Sequence, residues 1–465
     1  MTPSHAEDTG SQFEADRRQP PAGPSFLMMA GGTTLTTVSG LLIGIVGSLI
    51  VAWTLGPDGK GALYFLRTVP TTLVTLGNLG IGSAIIYRIS RGLTEPAVAA
   101  AHAILLALVL GLLTAGGTLA VIPPGHPIWG GLSTWVVLAA MSMTPLLLTE
   151  QFCGRVLVGK LKVHHRNAAT IVRHVLTLAL LPIFLLAAAW GLPGAMLAYV
   201  LALAAAVALQ IVLVWRLVGL RLRFDGPFLR GALGYGLLAW LVMLSNSLVY
   251  RVGVFFVKSW LGDRELGFYS VAVQIAQLMW VIPNSVSQVL LPVAAQKDGR
   301  GAGYSLKLCR MQIILLLVLG PALAAAAPLA IMAYGMRFMP ALWPFYVLLP
   351  GVLVYPISKY LAVDLAAQGK QGVPLLISLA GLAVEVALIV LWVPSLRWYG
   401  GIVGAGLAAT LAYALMALLG AANFVRVRKC RLRDILLPGR EDVRLLLSLP
   451  ARAIRRLHGK RSPKR

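Results

Sequence analysis

Residues 53–61 read WTLGPDGKG, and residues 260–267 read WLGDRELG. Both contain LGxxxxG, and the two copies lie 206 positions apart. A second pair, GLPGAMLA at 191–198 and GIVGAGLA at 401–408, shares GxxGAxLA at an offset of 210. Two matches at nearly one offset divide the chain into halves of like design, and such a repeat constrains the architecture before anything else does. Pro57-Asp58-Gly59 is expected to form a tight hairpin: Pro presets φ, Asp can bond its own backbone, and Gly is permissive. In GxxGAxLA the small residues let helices approach closely.

The rest of the chain says what these halves are made of. It has 465 residues, 58% hydrophobic and only 12% charged, where a soluble domain carries about 25% charged residues. That excludes an ordinary cytosolic enzyme and excludes disorder. Crossing a bilayer takes about 20 helical residues. Twelve apolar stretches qualify, at 34–55, 63–87, 97–121, 130–151, 170–189, 194–215, 234–258, 268–292, 308–328, 342–365, 373–393 and 401–424. The expected fold is all-α: a polytopic membrane protein of about twelve transmembrane helices in two six-helix lobes related by a pseudo-two-fold axis. Six spans per repeat is an even number, so that axis runs along the membrane normal. The expected divisions are a disordered cytoplasmic tail at 1–28, an N-lobe at 29–220, a C-lobe at 221–425 and a basic amphipathic tail at 426–465.

Charge sets the orientation. With the N-terminus inside, 32 of the 40 Lys and Arg residues fall on the cytoplasmic side. Lys60, Arg264, Arg337 and Arg397 fall outside, and Arg67, Arg251, Lys258 and Lys359 fall within spans. This satisfies the positive-inside rule with both termini cytoplasmic. Trp53, Trp129, Trp190, Trp260, Trp343, Trp392 and Trp398 sit near the outer ends of spans, as interfacial anchors. The net charge of +24 therefore calls for no nucleic acid. The tail at 426–465 mixes apolar and basic residues at roughly helical spacing, which suits anionic inner-leaflet lipid. A docking site for a cytoplasmic partner is the alternative.

Three segments carry a resemblance. TLGPDGKGALYFLRTVPTTLVTLGNLGIGSAIIY (54–87) resembles the opening of polysaccharide-repeat-unit flippases, the polysaccharide transporter branch of the MOP exporter superfamily. YRVGVFFVKSWLGDRELGFYSVAVQIAQLMWVIPNSVSQVLLPVAAQ (250–296) is similar to the start of their second lobe, and GGIVGAGLAATLAYAL (400–415) to their last span. The resemblance implies export of undecaprenyl-pyrophosphate-linked oligosaccharides from the inner to the outer leaflet of a bacterial cytoplasmic membrane, with polysaccharide polymerase machinery as a candidate partner. It also implies a departure: many relatives carry Asn in span eleven, where this chain has Glu385.

Ionisable residues at membrane depth are costly, so each is a candidate site. Arg251 lies nine residues before Trp260, about 13 Å below the interface at 1.5 Å per residue, and Lys258 follows at i+7. Arg67 and Lys359 complete a cationic set suited to a diphosphate, since a guanidinium binds phosphate oxygens bidentately. Gln274, Gln277, Asn284 and Gln288 form one polar stripe along span eight that could touch sugar. Asp364 and Glu385 are the intramembrane acids and the candidates for coupling transport to an ion. No G-x-x-x-x-G-K-[ST] is present, so this chain is not expected to hydrolyse ATP. Three scattered cysteines and the adjacent His164-His165 make no metal site. No catalytic residue, cofactor or metal is expected. Rival readings are a multidrug or small-cation exporter of the same superfamily, a lipid II flippase, and, from another class, a polymerase or ligase. The last is disfavoured by outer loops too short for a catalytic chamber.

Overall fold

A computed structural model describes residues 24–223, 226–281, 283–284, 300–395, 400–437 and 439. All regular structure among them is helical. Ten helices there are long and apolar enough to cross a membrane. The first, α1 (Pro24–Gly77), makes two passages, because Gly56 breaks it with φ 66° and ψ −169°. It is followed by α2 (Ile81–Ser90), α3 (Pro96–Val121), α4 (Thr134–Gly159), α5 (Val163–Pro182, continued by a π turn to Ala187) and α6 (Gly191–Val218). The second half holds α7 (Gly226–Val249), α8 (Val252–Leu261), α9 (Asp263–Gln277), α10 (Arg300–Met332), α11 (Leu342–Ala367), α12 (Gly372–Trp392) and α13 (Gly400–Arg428). The chain is thus a multi-pass membrane protein of about twelve helices in two lobes.

The expected hairpin at 57–59 is absent. One residue turns the chain, and Pro57 takes the first helical position of the second arm, where its missing N–H costs nothing. Gly262 does the same in the second lobe, with φ 91° and ψ −169° between α8 and α9. These are the Gly residues of the two LGxxxxG motifs, so the repeat is written in backbone angles as well as letters. Only Gly accepts this conformation without strain. Lys60, expected in an outer loop, consequently lies inside α1 and is 3% exposed.

The last glycines of the motifs perform the second task. A Cβ on Gly61 would lie 1.8 Å from the Asp263 carbonyl oxygen, and one on Gly267 would lie 2.1 Å from that of Pro57. Pro57 and Asp263 hold equivalent positions in the repeat, as do Gly61 and Gly267. The contact is therefore reciprocal, like an isologous dimer interface, and it joins the lobes backbone to backbone. Trp129, expected as an interfacial anchor, is instead buried beside this crossing and packs on Phe65 at 5.7 Å between ring centroids. Its indole N–H bonds the Pro123 carbonyl at 3.1 Å.

Within the first lobe α1 packs on α4, α5 and α6; within the second, α11 packs on α10 and α13, and α12 on α7 and α13. The basic stretch at 152–169, expected as the longest connection, is almost wholly helical. Only residues 160–162 separate α4 from α5. Arg155, Lys160, Lys162 and Arg166 mark this as the basic end of the bundle, opposite the Gly61–Gly267 crossing. Residues 1–23 of the N-terminal tail and 440–465 of the C-terminal tail lie outside the described residues. The start of that second tail forms a short helix, α14 (Leu432–Leu436), which packs on α10 with Ile435 buried.

Candidate functional site

Between the lobes, below the crossing, lies a cavity of about 530 Å³. Arg67, Arg251, Lys359, Gln274, Gln277 and Asn284 all line it. Six of the residues singled out in the sequence, drawn from α1, α9, α11, the break between α7 and α8, and Asn284 of span eight, therefore meet in one space. No carboxylate is among its lining residues in the described part of the chain.

Arg67, Arg251 and Lys359 are each held by neutral groups. The Arg67 guanidinium stacks on Tyr199 at 3.9 Å from the ring centroid. Stacking of this kind orients the planar fork while leaving its N–H donors free for a ligand. Arg251 sits in the break between α7 and α8, where Val249 ends one helix and Val252 begins the next. Its Nη1 donates to Thr72 Oγ1 at 3.3 Å, a bond from the second lobe to the first. Lys359 donates to Asn284 Oδ1. Gln274 accepts from Ser48 Oγ at 2.6 Å, and Ser48 accepts from Lys60 Nζ at 2.6 Å, a second polar link between lobes.

Lys60 was not readable as a site residue. It faces an adjoining cavity of about 440 Å³ together with Arg67 and Gln274, and no acid lies within ion-pair distance of it among the described residues. Arg173 and His174 were missed for the same reason, a span boundary set too late. With α5 beginning at Val163, both lie deep in the helix and line the central cavity. Arg166, Thr170, Arg173, His174 and Thr177 recur at helical spacing, a polar stripe legible in the sequence once the helix start is known. Arg173 alone of this set meets an acid, Glu150 at 3.2 Å. Smaller cavities of about 360 and 300 Å³ share Arg173, Arg251 and His174 with the central one and continue it past Arg155 and Arg166 toward the basic end.

Three candidates are placed elsewhere. Lys258 does not line the cavity: it is buried near the crossing and bonds Asp263 Oδ1 at 2.6 Å, so its charge is already balanced. Asp364 is fully buried and receives a bidentate guanidinium, from Arg428 Nε at 3.1 Å and Nη2 at 2.9 Å, plus Gln368 Nε2 at 2.7 Å. A carboxylate so satisfied ties α11 to α13 and is poorly suited to exchange an ion. Glu385, by contrast, is 1% exposed in the second lobe, and its Oε2 has no hydrogen-bond partner. Tyr269 and Tyr413 are its neighbours. Gln288 lies outside the described residues.

The comparisons with known proteins agree with this architecture. A family model described as "Polysaccharide biosynthesis protein" matches residues 29–297. Among solved structures, an inward-facing multidrug resistance MATE family transporter of the MOP superfamily is similar at TM-score 0.67 and 19% identity, covering 84% of this chain and 96% of its own. The outward-facing form of a multidrug resistance MATE family transporter is similar at TM-score 0.61 and 16% identity, covering 87% and 97%. A MATE bound to MaD5 gives 0.62 at 18% identity, covering 86% and 97%. At these identities the likeness is one of fold. No curated protein matches the chain significantly.

Proposed function

The chain belongs to the polysaccharide biosynthesis protein family, and from that premise we propose that it flips polyprenyl-diphosphate-linked oligosaccharide repeat units across a bacterial cytoplasmic membrane. The observation that carries this reading is the acid-free cavity into which Arg67, Arg251 and Lys359 project. A diphosphate headgroup cannot cross hydrocarbon unpaired, because an isolated ion loses its hydration there. Three cations held only by hydroxyl, amide and aromatic groups supply replacement charge without a competing counter-ion. Gln274, Gln277 and Asn284 offer amides to sugar hydroxyls on the same wall. A cation exporter would place carboxylates in this space, so the acid-free lining favours the anionic substrate.

The basic end faces the cytoplasm in this reading, so the headgroup enters past Arg155, Arg166 and Arg173. Separation of the lobes at Gly61 and Gly267 then opens the cavity to the other side by rocking about the repeat axis. Glu385, buried and half unpartnered, is the acid best placed to couple that motion to a proton or cation. The basic tail lies on anionic inner-leaflet lipid.

The test is the fate of lipid-linked oligosaccharide in cells carrying Arg67→Ala, Arg251→Ala or both, at matched membrane expression. The double variant should lower surface polysaccharide about 100-fold or more, as expected when charge-assisted contacts of about 1.5–3 kcal/mol each are lost, while full-length lipid-linked units accumulate facing the cytoplasm. Unchanged surface polysaccharide accompanied by reduced dye efflux would transfer the site to a drug exporter.

A further inference from the structure

The second lobe contains a larger space that the headgroup does not need. This groove, of about 630 Å³, runs between α7, α11 and α12. Its walls are mostly apolar, including Ala239, Val242, Met243, Ala362, Val363 and Ile377. At its inner end it shares Tyr250, Arg251 and Lys359 with the central cavity. At its outer rim Ala239 and Met243 are exposed on the membrane-facing side of α7.

We propose that this groove binds the diphosphate-proximal isoprene units of the lipid carrier, so that substrate is held at both sides of its phosphate ester. The inference rests on the proposed function, since it needs a diphosphate at Arg251 and Lys359. Four observations commit it to a prenyl chain. The groove is continuous with the cationic site through the two residues that would hold the diphosphate. Its exposed lining surface is mostly hydrocarbon, although Asn246, Ser247, Ser358, Gln371 and Ser378 also border it. It spans α7 from Ala239 to Tyr250, about 17 Å at 1.5 Å per residue, which is room for several isoprene units in extended form. Its two terminal cations repel a lipophilic cation, the occupant a drug exporter would seat there. The small cavity beside α5 in the first lobe is lined instead by polar groups, among them Arg166, Asn167, Thr170 and His174.

The consequence is a selectivity filter for the carrier. A free sugar diphosphate would occupy only the cavity, and a bare lipid only the groove, whereas a prenyl diphosphate occupies both. The aromatic cluster at the junction fits that division. Tyr250 donates to Tyr355, Tyr355 donates to Asn246 Oδ1 at 3.0 Å, and Trp280 packs on Tyr250 at 4.8 Å. These rings form a rigid partition around which a chain must pass at the phosphate.

The experiment is calorimetric titration of the detergent-purified full chain with inorganic pyrophosphate, geranyl diphosphate and farnesyl diphosphate. Wild type should bind farnesyl diphosphate at least about tenfold more tightly than pyrophosphate, a modest fraction of what burying its methylenes provides. Ala362→Phe, inside the groove, should remove most of that gain while leaving pyrophosphate affinity within about twofold, which also reports that the variant is folded. Ala239→Phe, at the exposed rim, should reduce the gain in the same direction and carries the test if the inner variant does not fold. A gain that survives both variants would assign the chain-length effect to micelle partition and overturn the groove. Equal affinities in wild type would do the same. Tighter binding of farnesylamine than of farnesyl diphosphate would overturn it in favour of a cation site. Failure of the underlying reading has a separate signature: pyrophosphate binding that is absent, or unchanged by Arg251→Ala combined with Lys359→Ala.

Discussion

α5 packs on α1 and α6, and α12 packs on α7 and α13, so the two helices hold equivalent places in their lobes. Their side chains differ in kind. α5 turns Arg166, Thr170, Arg173, His174 and Thr177 toward the interlobe cavities. α12 turns Pro374, Ile377 and Ser378 toward the apolar groove and keeps its single charge, Glu385, sealed in the lobe. The repeat therefore conserves what backbone geometry requires and releases what chemistry requires. Gly56 and Gly262 share an angle, Gly61 and Gly267 share a crossing, and nothing on the two fifth helices is shared. In the proposed reading both lobes line the headgroup cavity, while only the second also receives the prenyl chain and holds the coupling acid.

The largest effects should come where the lobes are alike. Gly61→Val and Gly267→Val each place side-chain atoms where the partner's backbone carbonyl now lies, at Asp263 and Pro57. Backbone cannot move aside as a rotamer can, and overpacking even of flexible cores costs about 1–3 kcal/mol. Both variants should abolish transport, measured as surface polysaccharide, and to the same degree. A tolerant Gly61→Val beside an inactive Gly267→Val would break the equivalence on which the two-lobe comparison stands.

Two buried acids of the second lobe, Asp364 and Glu385, sharpen the comparison further. Asp364→Asn leaves Arg428 without its carboxylate in a buried site, which should destabilise the protein by about 3–5 kcal/mol. Thermal unfolding in detergent would read this as a clear fall in midpoint. Glu385→Gln keeps shape and removes only the ionisable group, so stability should change by less than about 1 kcal/mol. Its effect should be on transport under an imposed pH or sodium gradient, which it should uncouple. A Glu385→Gln variant that transports normally under both gradients removes Glu385 from the mechanism and leaves α12 purely structural.

The frame was legible because it is governed by backbone and solvent. Span length and the glycines of two motifs act through terms a sequence displays directly. The site was legible where the cost of burial is one-sided: Arg67, Arg251 and Lys359 had no cheap alternative to a cavity. Lys258 and Asp364 escaped that logic because each found a counter-charge, Asp263 five residues on and Arg428 sixty-four residues on, and pairing across helices is invisible without the fold. Lys60 and Arg173 were hidden by helix ends. An LGPDG segment reads as a turn, yet Gly56 alone does the turning, so the second span starts at Pro57 instead of 63 and Lys60 moves from an outer loop into the protein. The break at Arg251 has no sequence signal, since neither Pro nor Gly precedes it.

The smallest effects separate two lysines near the crossing. No acid lies beside Lys60 among the described residues, and its ammonium is held by Ser48 Oγ, the Ser48 carbonyl at 3.4 Å and the Tyr334 ring at 5.0 Å. Replacing an uncompensated buried cation by an apolar side chain of similar length relieves desolvation, so Lys60→Met should leave stability unchanged or raise it by about 1 kcal/mol. If Lys60 extends the cationic path beyond Arg67, the same variant should lower transport about tenfold. Lys258→Met does the opposite. It strands Asp263, but that carboxylate is partly exposed and sits in the first turn of α9, where the helix dipole favours negative charge. The cost should be about 1–2 kcal/mol of stability with less than twofold change in transport per folded molecule. Measuring unfolding midpoint and surface polysaccharide on both variants tests the split. If Lys60→Met loses stability while transport per folded molecule is kept, Lys60 is a strut between α1 and α9, and the headgroup path ends at Arg67.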